Sequence, residues 1–172
     1  MTRLLSILLV TLLPLTAVSD DSYRLGAGDK LRVTVFDEPD LSGEFELDGS
    51  GTFPVPLIGA VAALGQSPRA LETKIEGMLS DGWLVRPRVS VEVLSYRPFY
   101  IIGEVNQPGA YPYRAGLTVL NAAALAGGFT YRADEDDIEI SRGPEGARGR
   151  LEAAVDTNVL PGDVIRVEER LF

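Results

Sequence analysis

Apolar and polar residues alternate in two stretches of the first half of the chain. In Lys30–Phe36, the apolar residues Leu31, Val33 and Val35 occupy every second position, which predicts a strand with one buried face. Val89–Leu94 repeats this period of two and predicts another such strand. Weaker alternation beside turn residues predicts two further strands, Glu44–Asp48 and Thr52–Ile58, the second at an edge because it contains two prolines.

Apolar residues recur at helical spacing between these strands. Ser67 can cap a helix whose first turn holds Pro68, where the missing N–H costs nothing, and Gly82 can end it. The predicted buried stripe consists of Leu71, Ile75, Met78 and Leu79. Gly59–Leu64, before the helix, is interpreted as a short apolar connection. A single helix over a small sheet predicts a compact α+β unit.

The stretch Phe99–Phe129 has the pattern of a strand, a turn, a second strand and a short helix. Pro108-Gly109 predicts a type II turn, in which glycine supplies the positive φ of the third position. Pro112 places the second strand at an edge, since proline cannot donate a ladder hydrogen bond. Thr118 can cap the helix and Gly127-Gly128 can end it. Two strands followed by a helix predict the first half of a β-grasp.

The remainder of the second half contains an acidic run, Asp134–Asp137, before a strand at Ile138–Ile140. This run lacks the glycine and the distal glutamate of a calcium loop, so we favour a solvated loop over a metal site. Residues 142–149 predict a polar, mobile hairpin tip, and Val164–Val167 predicts a closing strand.

The beginning and the end of the chain share a short motif. Residues 28–33 (GDKLRV) match residues 162–167 (GDVIRV) at Gly, Asp, Arg and Val. We interpret the match as repeated turn chemistry, because a duplication would need a longer one. Asp29 and Asp163 are expected to hydrogen-bond nearby backbone amides rather than to act in catalysis.

Composition narrows the chemistry. The chain has 172 residues and a formal net charge of −9, which argues against nucleic acid as a partner. It contains no histidine and no cysteine, which removes Ser-His-Asp triads, cysteine nucleophiles and the usual zinc and iron–sulfur sites. We therefore predict no catalytic residue, no metal and no cofactor.

The N-terminal stretch Met1–Ser19 has the pattern of a signal peptide. Arg3 precedes an apolar run, Leu4–Leu15, and small residues at Ala17 and Ser19 predict cleavage after Ser19. The alternative is an uncleaved anchor, but the run is shorter than the roughly 20 residues that span a bilayer. A lipoprotein signal would need a cysteine. We expect an exported, periplasmic or extracellular protein that is not a lipoprotein.

Two groups of motifs resemble a known family. Residues 23–31, 48–59 and 87–93 (YRLGAGDKL, DGSGTFPVPLIG and PRVSVEV) are similar to the polysaccharide export domain of bacterial outer-membrane polysaccharide export proteins. Residues 103–111 and 117–129 (GEVNQPGAY and LTVLNAAALAGGF) resemble the soluble-ligand-binding β-grasp (SLBB) domain that follows it in that family. The resemblance implies an export domain at residues 20–97 and an SLBB domain at residues 98–172, both α+β.

The resemblance also implies a function. Family members are not enzymes; they form homo-oligomeric rings that help carry capsular polysaccharide or exopolysaccharide outward, together with an inner-membrane polymerase and chain-length regulator. Full-length members are lipoproteins that end in a membrane-crossing helix, and longer ones have a second β-grasp domain. This chain has no cysteine and ends in the short, polar stretch Arg166–Phe172. We expect a minimal periplasmic version, for which a separate protein supplies the outer-membrane pore.

Two other functions remain open. The first is a periplasmic β-grasp adaptor that binds glycan or protein without forming a conduit; its candidate contact residues are Tyr111, Tyr113, Arg114, Tyr131 and Arg132. The tyrosines can instead pack in the core or at subunit contacts, and we favour that interpretation. The second is a glycosidase with two carboxylates, which no cleft-forming pattern in the sequence supports.

Overall fold

The structure is a computed structural model that describes residues 23–143 and 148–170. The predicted signal peptide and part of the predicted hairpin tip lie outside these residues. The described elements follow one another as β1 (Lys30–Val35), a 3-10 helix (Pro39–Leu41), β2 (Gly43–Glu46), β3 (Thr52–Val55), β4 (Gly59–Ala62), α1 (Pro68–Ser80), β5 (Val89–Ser95), β6 (Phe99–Gly103), β7 (Gly109–Tyr111), α2 (Val119–Leu125), β8 (Ala133–Arg142), β9 (Gly149–Ala153) and β10 (Val164–Glu169). The predicted α+β class is confirmed. None of the described helices is long and apolar enough to cross a membrane.

The first unit contains a three-stranded antiparallel sheet in the order β2-β1-β5, a β3-β4 hairpin and helix α1. Leu31, Val33 and Val35 of β1 are buried, as their alternation predicts. They face one apolar core that also includes Phe53 and the inward residues of α1. This unit therefore has a core of its own, distinct from that of the second unit.

Helix α1 begins and packs as its sequence predicts. The Ser67 hydroxyl accepts a hydrogen bond from the Ala70 N–H at 3.2 Å, which caps the helix. Three of the four predicted stripe residues, Leu71, Ile75 and Leu79, are fully buried, and Met78 is partly buried against the same core. The predicted stripe thus faces the sheet.

The polar side of α1 also contacts the sheet. Glu72 and Glu76 accept hydrogen bonds from the backbone N–H groups of Val91 and Val89 in β5, both at 2.9 Å. Four residues of helix rise about 6 Å and two residues of strand about 6.6 Å, so the two spacings match. The glutamates therefore satisfy two donors at the outer side of β5.

The hairpin of the first unit corrects one prediction. Gly59–Leu64 was expected to be a connection, but Gly59–Ala62 forms strand β4 and pairs with β3. The predicted strand Thr52–Ile58 ends at Val55, because Leu57 and Gly59 adopt positive φ angles of 69° and 74° and reverse the chain. The two prolines of this stretch lie in or beside that reversal.

The second unit is a five-stranded sheet in the order β7-β6-β10-β8-β9, with α2 packed on one face. β6 and β10 are parallel, and the other neighbours are antiparallel. Thr118 and Asn121 cap α2 reciprocally, and Gly127 and Gly128 follow it with φ angles of 80° and 87°. The predicted cap and glycine stop are confirmed.

The predicted type II turn at Pro108-Gly109 is wrong. Gly109 begins β7, pairs with Ile101 and has no positive φ. The positive φ falls earlier, at Gly103, where it is 87°. A Cβ at Gly103 would lie 2.1 Å from the Val167 carbonyl oxygen, so the close approach of β6 to β10 requires glycine there.

The sequence predicts a loop at the acidic run Asp134–Asp137, but the structure places this run in strand β8. The register of β8 against β10 shifts between Val167 and Glu169, so the run lies at an irregular part of the ladder. Its carboxylates remain largely exposed while the backbone is extended. Hydration of these side chains is thus compatible with strand pairing of the backbone.

Candidate functional site

The two Gly-Asp motifs form two similar turns with buried carboxylates. Asp29 and Asp163 are 0% and 1% exposed. Each carboxylate accepts a hydrogen bond at 2.7 Å from the backbone N–H three residues earlier, Gly26 in one turn and Leu160 in the other. Each aspartate N–H returns a bond of 3.1 Å to the carbonyl of that same residue. The predicted binding of backbone amides is confirmed.

An arginine pairs with each buried aspartate. In the second unit, Arg142 of β8 donates to both carboxylate oxygens of Asp163, from Nε at 3.0 Å and from Nη2 at 2.7 Å. In the first unit, Arg97 donates from Nη1 at 3.1 Å and from its backbone N–H at 2.9 Å to Asp29. The hydrogen bonds that Arg142 donates to Asp163 hold the pKa of Arg142 above its usual value. Because both carboxylates are enclosed by donors, they act as structural pairs and present no free oxygen to a substrate.

Arg97 lies between the two turns. A Cβ added at Gly26 would lie 2.4 Å from its Nη1, and a Cβ added at Gly162 would lie 2.6 Å from its Nε. The guanidinium group therefore fills the space that these two glycines leave. Since Gly26 belongs to the first unit and Gly162 to the second, Arg97 contacts both units at once.

Aromatic side chains extend this contact. The Tyr23 hydroxyl donates to Asp29 at 2.5 Å and accepts from Arg97 at 2.9 Å. Burial, followed by the hydrogen bond to Asp29, raises the pKa of Tyr23 above its usual value. The rings of Tyr23 and Tyr96 meet edge to face at 4.9 Å, and those of Tyr96 and Tyr113 at 5.3 Å. We call these five residues the junction cluster: Tyr23, Asp29, Tyr96, Arg97 and Tyr113.

The structure separates the predicted contact residues instead of bringing them together. Tyr113 is half-buried in the junction cluster. Tyr111 stacks on Phe99 at 6.0 Å, and its hydroxyl donates to the Gln107 carbonyl at 2.7 Å. Both tyrosines pack against the core of the second unit, which matches the interpretation favoured from the sequence. Arg114 is exposed nearby.

Tyr131 and Arg132 lie at the opposite end of the five-stranded sheet. Tyr131 is 92% exposed, and Arg132 forms an ion pair with Glu169 at the end of β10. Tyr111 pairs with Phe99 at the start of β6, whereas Ala133 pairs with Glu169, so the sheet's length separates the two groups. A single glycan site formed by all five residues is therefore not present. Contact by either group separately stays a prediction.

The sheet face opposite α2 provides a different candidate surface, which we call the open face. It consists of Tyr100 and Ile102 of β6, paired in register with Val164 and Arg166 of β10. Tyr100 is 42% exposed, Arg166 is exposed, and Ile102 and Val164 are partly exposed. An aromatic ring and a guanidinium group on a flat, partly apolar sheet can contact a sugar ring or a protein. The sequence interpretation missed Tyr100, although its alternation with buried Phe99 and Ile101 points it outward.

A three-stranded α+β unit joined to a five-stranded α+β unit through the buried Arg97–Asp29 pair defines a class of two-part α+β protein. Comparison with known families gives that class an identity. The family described as "Polysaccharide biosynthesis/export protein" matches residues 17–94, and the SLBB domain matches residues 98–152. The chain belongs to this polysaccharide biosynthesis/export family, with an SLBB domain after the export domain.

Curated relatives carry related names. The chain is 40% identical to the exopolysaccharide production protein ExoF of Rhizobium meliloti (strain 1021), over 66% of this chain and 30% of that protein. It is 27% identical to the EPS I polysaccharide export outer membrane protein EpsA of Ralstonia nicotianae, over 86% of this chain and 48% of that protein. The chain thus spans less than half the length of these relatives.

Proposed function

We propose that this protein is a non-enzymatic component of polysaccharide export that forms or caps a ring-like conduit in the periplasm, at the outer membrane. The polymer would be capsular polysaccharide or exopolysaccharide, delivered by an inner-membrane polymerase with its chain-length regulator. The observation that carries the proposal is the match of both family domains, in order, over most of the chain. The names of the relatives support export as the process.

The junction cluster is consistent with this role. Arg97 and its partners hold the export unit and the β-grasp unit together through a buried charge and several hydrogen bonds. A subunit whose two parts are fixed to each other can form the same contacts in every position of a closed ring. The buried carboxylates are committed to their arginines, which supports a structural rather than a catalytic use of these acids.

Two measurements test the proposal together. Size-exclusion chromatography with light scattering should give a mass that is a multiple of the monomer, and deletion of the gene should reduce secreted polysaccharide. Complementation with the unaltered gene should restore secretion. A strict monomer at high concentration, combined with normal secretion in the deletion strain, would overturn the proposal.

The second candidate function is a periplasmic adaptor that binds glycan or a partner protein without a conduit. The open face favours it, because Tyr100 and Arg166 are both exposed on the neighbouring strands β6 and β10, at diagonal positions two residues apart in register. Titration with acidic and neutral polysaccharides, followed by calorimetry, should show binding that Tyr100→Ser weakens and that Leu120→Ser, at an exposed position of α2, does not. The absence of binding by every polymer, or equal loss in both variants, would exclude glycan recognition by this face.

A further inference from the structure

A second exposed surface lies at the end of the first unit that points away from the junction cluster. We call it the distal tip: Phe36, Trp83, Val85, Arg86 and Arg88. Phe36 and Trp83 are 52% and 53% exposed, and Val85 is 90% exposed. Both arginines are exposed, and neither has a carboxylate ion-pair partner within the described part of the chain. These five residues lie outside the junction cluster and the open face.

The tip is a defined structure. The Phe36 N–H donates to the Arg88 carbonyl at 3.0 Å, and the Arg88 guanidinium lies 5.5 Å from the Phe36 ring centroid. The N–H groups of Trp83 and Leu84 both donate to the Leu79 carbonyl, which fixes the chain where α1 ends. These contacts hold three apolar side chains and two cations at one end of the molecule.

The orientation of the tip follows from the strands beneath it. β1 begins at Lys30, next to Asp29 of the junction cluster, and ends at Val35, directly before Phe36. β5 runs in the opposite direction, from Val89 at the tip towards the junction. Six strand residues span about 20 Å, so the tip and the β-grasp unit lie at opposite ends of the first unit.

The backbone of the tip is strained. Among the described residues, three that are not glycine have a positive φ; one of them, Arg86 at 55°, belongs to the tip, and another, Asp37 at 66°, directly follows Phe36. A left-handed conformation is unfavourable for an arginine, and glycine would adopt it at lower cost. The stability of the first unit therefore does not explain why arginine occupies position 86.

We propose that the distal tip docks on the surface of a membrane that contains anionic phospholipid. Trp and Phe rings favour the interface between headgroups and acyl chains, and an apolar side chain as exposed as Val85 gains from burial among lipids. Arg86 and Arg88 stand beside these groups, where they can contact lipid phosphates. The tip therefore presents both kinds of group that such a surface binds, exposed aromatic rings and arginines without a carboxylate partner among the described residues.

The charges near the tip determine how much electrostatic attraction and apolar burial each contribute to membrane binding. Asp37 and Asp81 are exposed beside it and offset the two arginines, and the whole chain has a net charge of −9. Long-range attraction to an anionic surface is therefore absent, and the apolar side chains supply most of the binding. Arg86 and Arg88 then act at short range and orient the molecule.

Trp83 is the chain's single tryptophan, so its fluorescence reports the tip alone. Vesicles of phosphatidylglycerol mixed with phosphatidylcholine should shift its emission to shorter wavelength, and brominated lipids should quench it. Pure phosphatidylcholine should bind about fivefold or more weakly, since each cation near an anionic surface contributes that order of affinity. Because the signal comes from Trp83, binding through the apolar N-terminal segment alone would not produce it.

Variants separate docking from folding. Val85→Asp should weaken vesicle binding at least tenfold, because it replaces the most exposed apolar group with a charge. Arg86→Gly should weaken binding to anionic vesicles about fivefold, while its melting temperature stays equal or rises as the strained φ is relieved. Tyr131→Ser and Arg114→Gln, matched in exposure but located in the second unit, should bind as the unaltered protein does.

Three results would overturn the proposal. The first is an unchanged Trp83 emission with all vesicles. The second is a shift produced by polygalacturonate but not by lipid, which would assign the tip to acidic polysaccharide. The third is a shift that follows protein concentration without vesicles, which would assign it to contact between copies. The proposal does not depend on ring formation, so its failure leaves the export function untouched.

Discussion

The two Gly-Asp turns have the same local hydrogen bonding, but their arginine partners come from different parts of the molecule. In both, a glycine with φ near 85° precedes a buried aspartate, and the aspartate bonds the residue three positions earlier. In the second unit, the arginine partner is 21 residues away on a neighbouring strand. In the first unit, it is 68 residues away, in the segment that joins the two units. The origin of the arginine thus decides whether the turn closes one unit or connects two.

The different origin of the two arginines explains why the first turn has a glycine where the second has a leucine. The residue three positions before the aspartate is Gly26 in the first turn and Leu160 in the second. The Arg97 guanidinium occupies the space where a side chain at position 26 would begin. In the second turn, Arg97 lies against Gly162 instead, so Leu160 can carry a side chain, which is 41% exposed. A small residue in the first turn is therefore a consequence of the long-range pair.

Removal of the buried carboxylates should have the largest effect. Asp29→Ala leaves the Arg97 charge, the Tyr23 hydroxyl and two backbone N–H groups without their acceptor, and should cost about 3–5 kcal/mol of unfolding free energy. Asp163→Ala should cost less, because fewer groups lose a partner. Urea denaturation at pH 7, monitored by circular dichroism, measures the loss of unfolding free energy in both variants. Equal losses would show that contact between the units adds nothing.

Tyr23→Phe should have an intermediate effect that depends on pH. Loss of the hydroxyl removes bonds to Asp29 and Arg97, and should cost about 1.5–3 kcal/mol at neutral pH. The folded state raises the pKa of Tyr23, so its contribution is complete below the unfolded value of about 10 and falls as pH rises above it.

Comparison of the wild type with Tyr23→Phe separates the titration of Tyr23 from that of other groups. The stability difference between wild type and Tyr23→Phe should be constant from pH 7 to 9 and shrink from pH 10 to 11. A difference that grows above pH 10 would contradict the assignment.

Gly26→Ala should have the smallest effect on the free energy of unfolding, and it tests the contact with Arg97 most directly. The added methyl displaces Arg97 Nη1 without changing any charge, and should cost about 1–2 kcal/mol, the order of a charged hydrogen bond. In an Arg97→Ala background the same change should cost much less, which a double-mutant cycle measures. Leu160→Ala is the matched change in the second turn and should stay within about 0.5 kcal/mol. Additive effects of Gly26→Ala and Arg97→Ala would contradict the contact.

Local signals in the sequence predicted much of the fold. The alternation of Leu31, Val33 and Val35 predicted a buried strand face, and Ser67 and Thr118 predicted two helix starts. These signals succeed because caps and periodic patterns act within one or two turns of the chain. The membership of the family also followed from short motifs, since several occur in the expected order.

Features that depend on distant pairing were not predicted. The role of Arg97 requires Asp29 and Gly162, which are far away in sequence, and no local pattern marks it. The polar composition of the acidic run predicts a loop, but β8 pairs with β10 on both sides of the run, at Ala133 and at Ile138. The candidate contact tyrosines were selected by residue type alone, so Tyr100 was missed although its alternation with Phe99 and Ile101 points it outward.

The two glutamates of α1 have a consequence for aggregation. An unpaired strand at the side of a sheet is a template on which another chain can add its own strand. At Val89 and Val91, the donors that such a strand would need already bind Glu76 and Glu72. A strand from another chain can therefore pair with β5 only after two charge-assisted hydrogen bonds break. This requirement protects the outer side of β5 against strand addition.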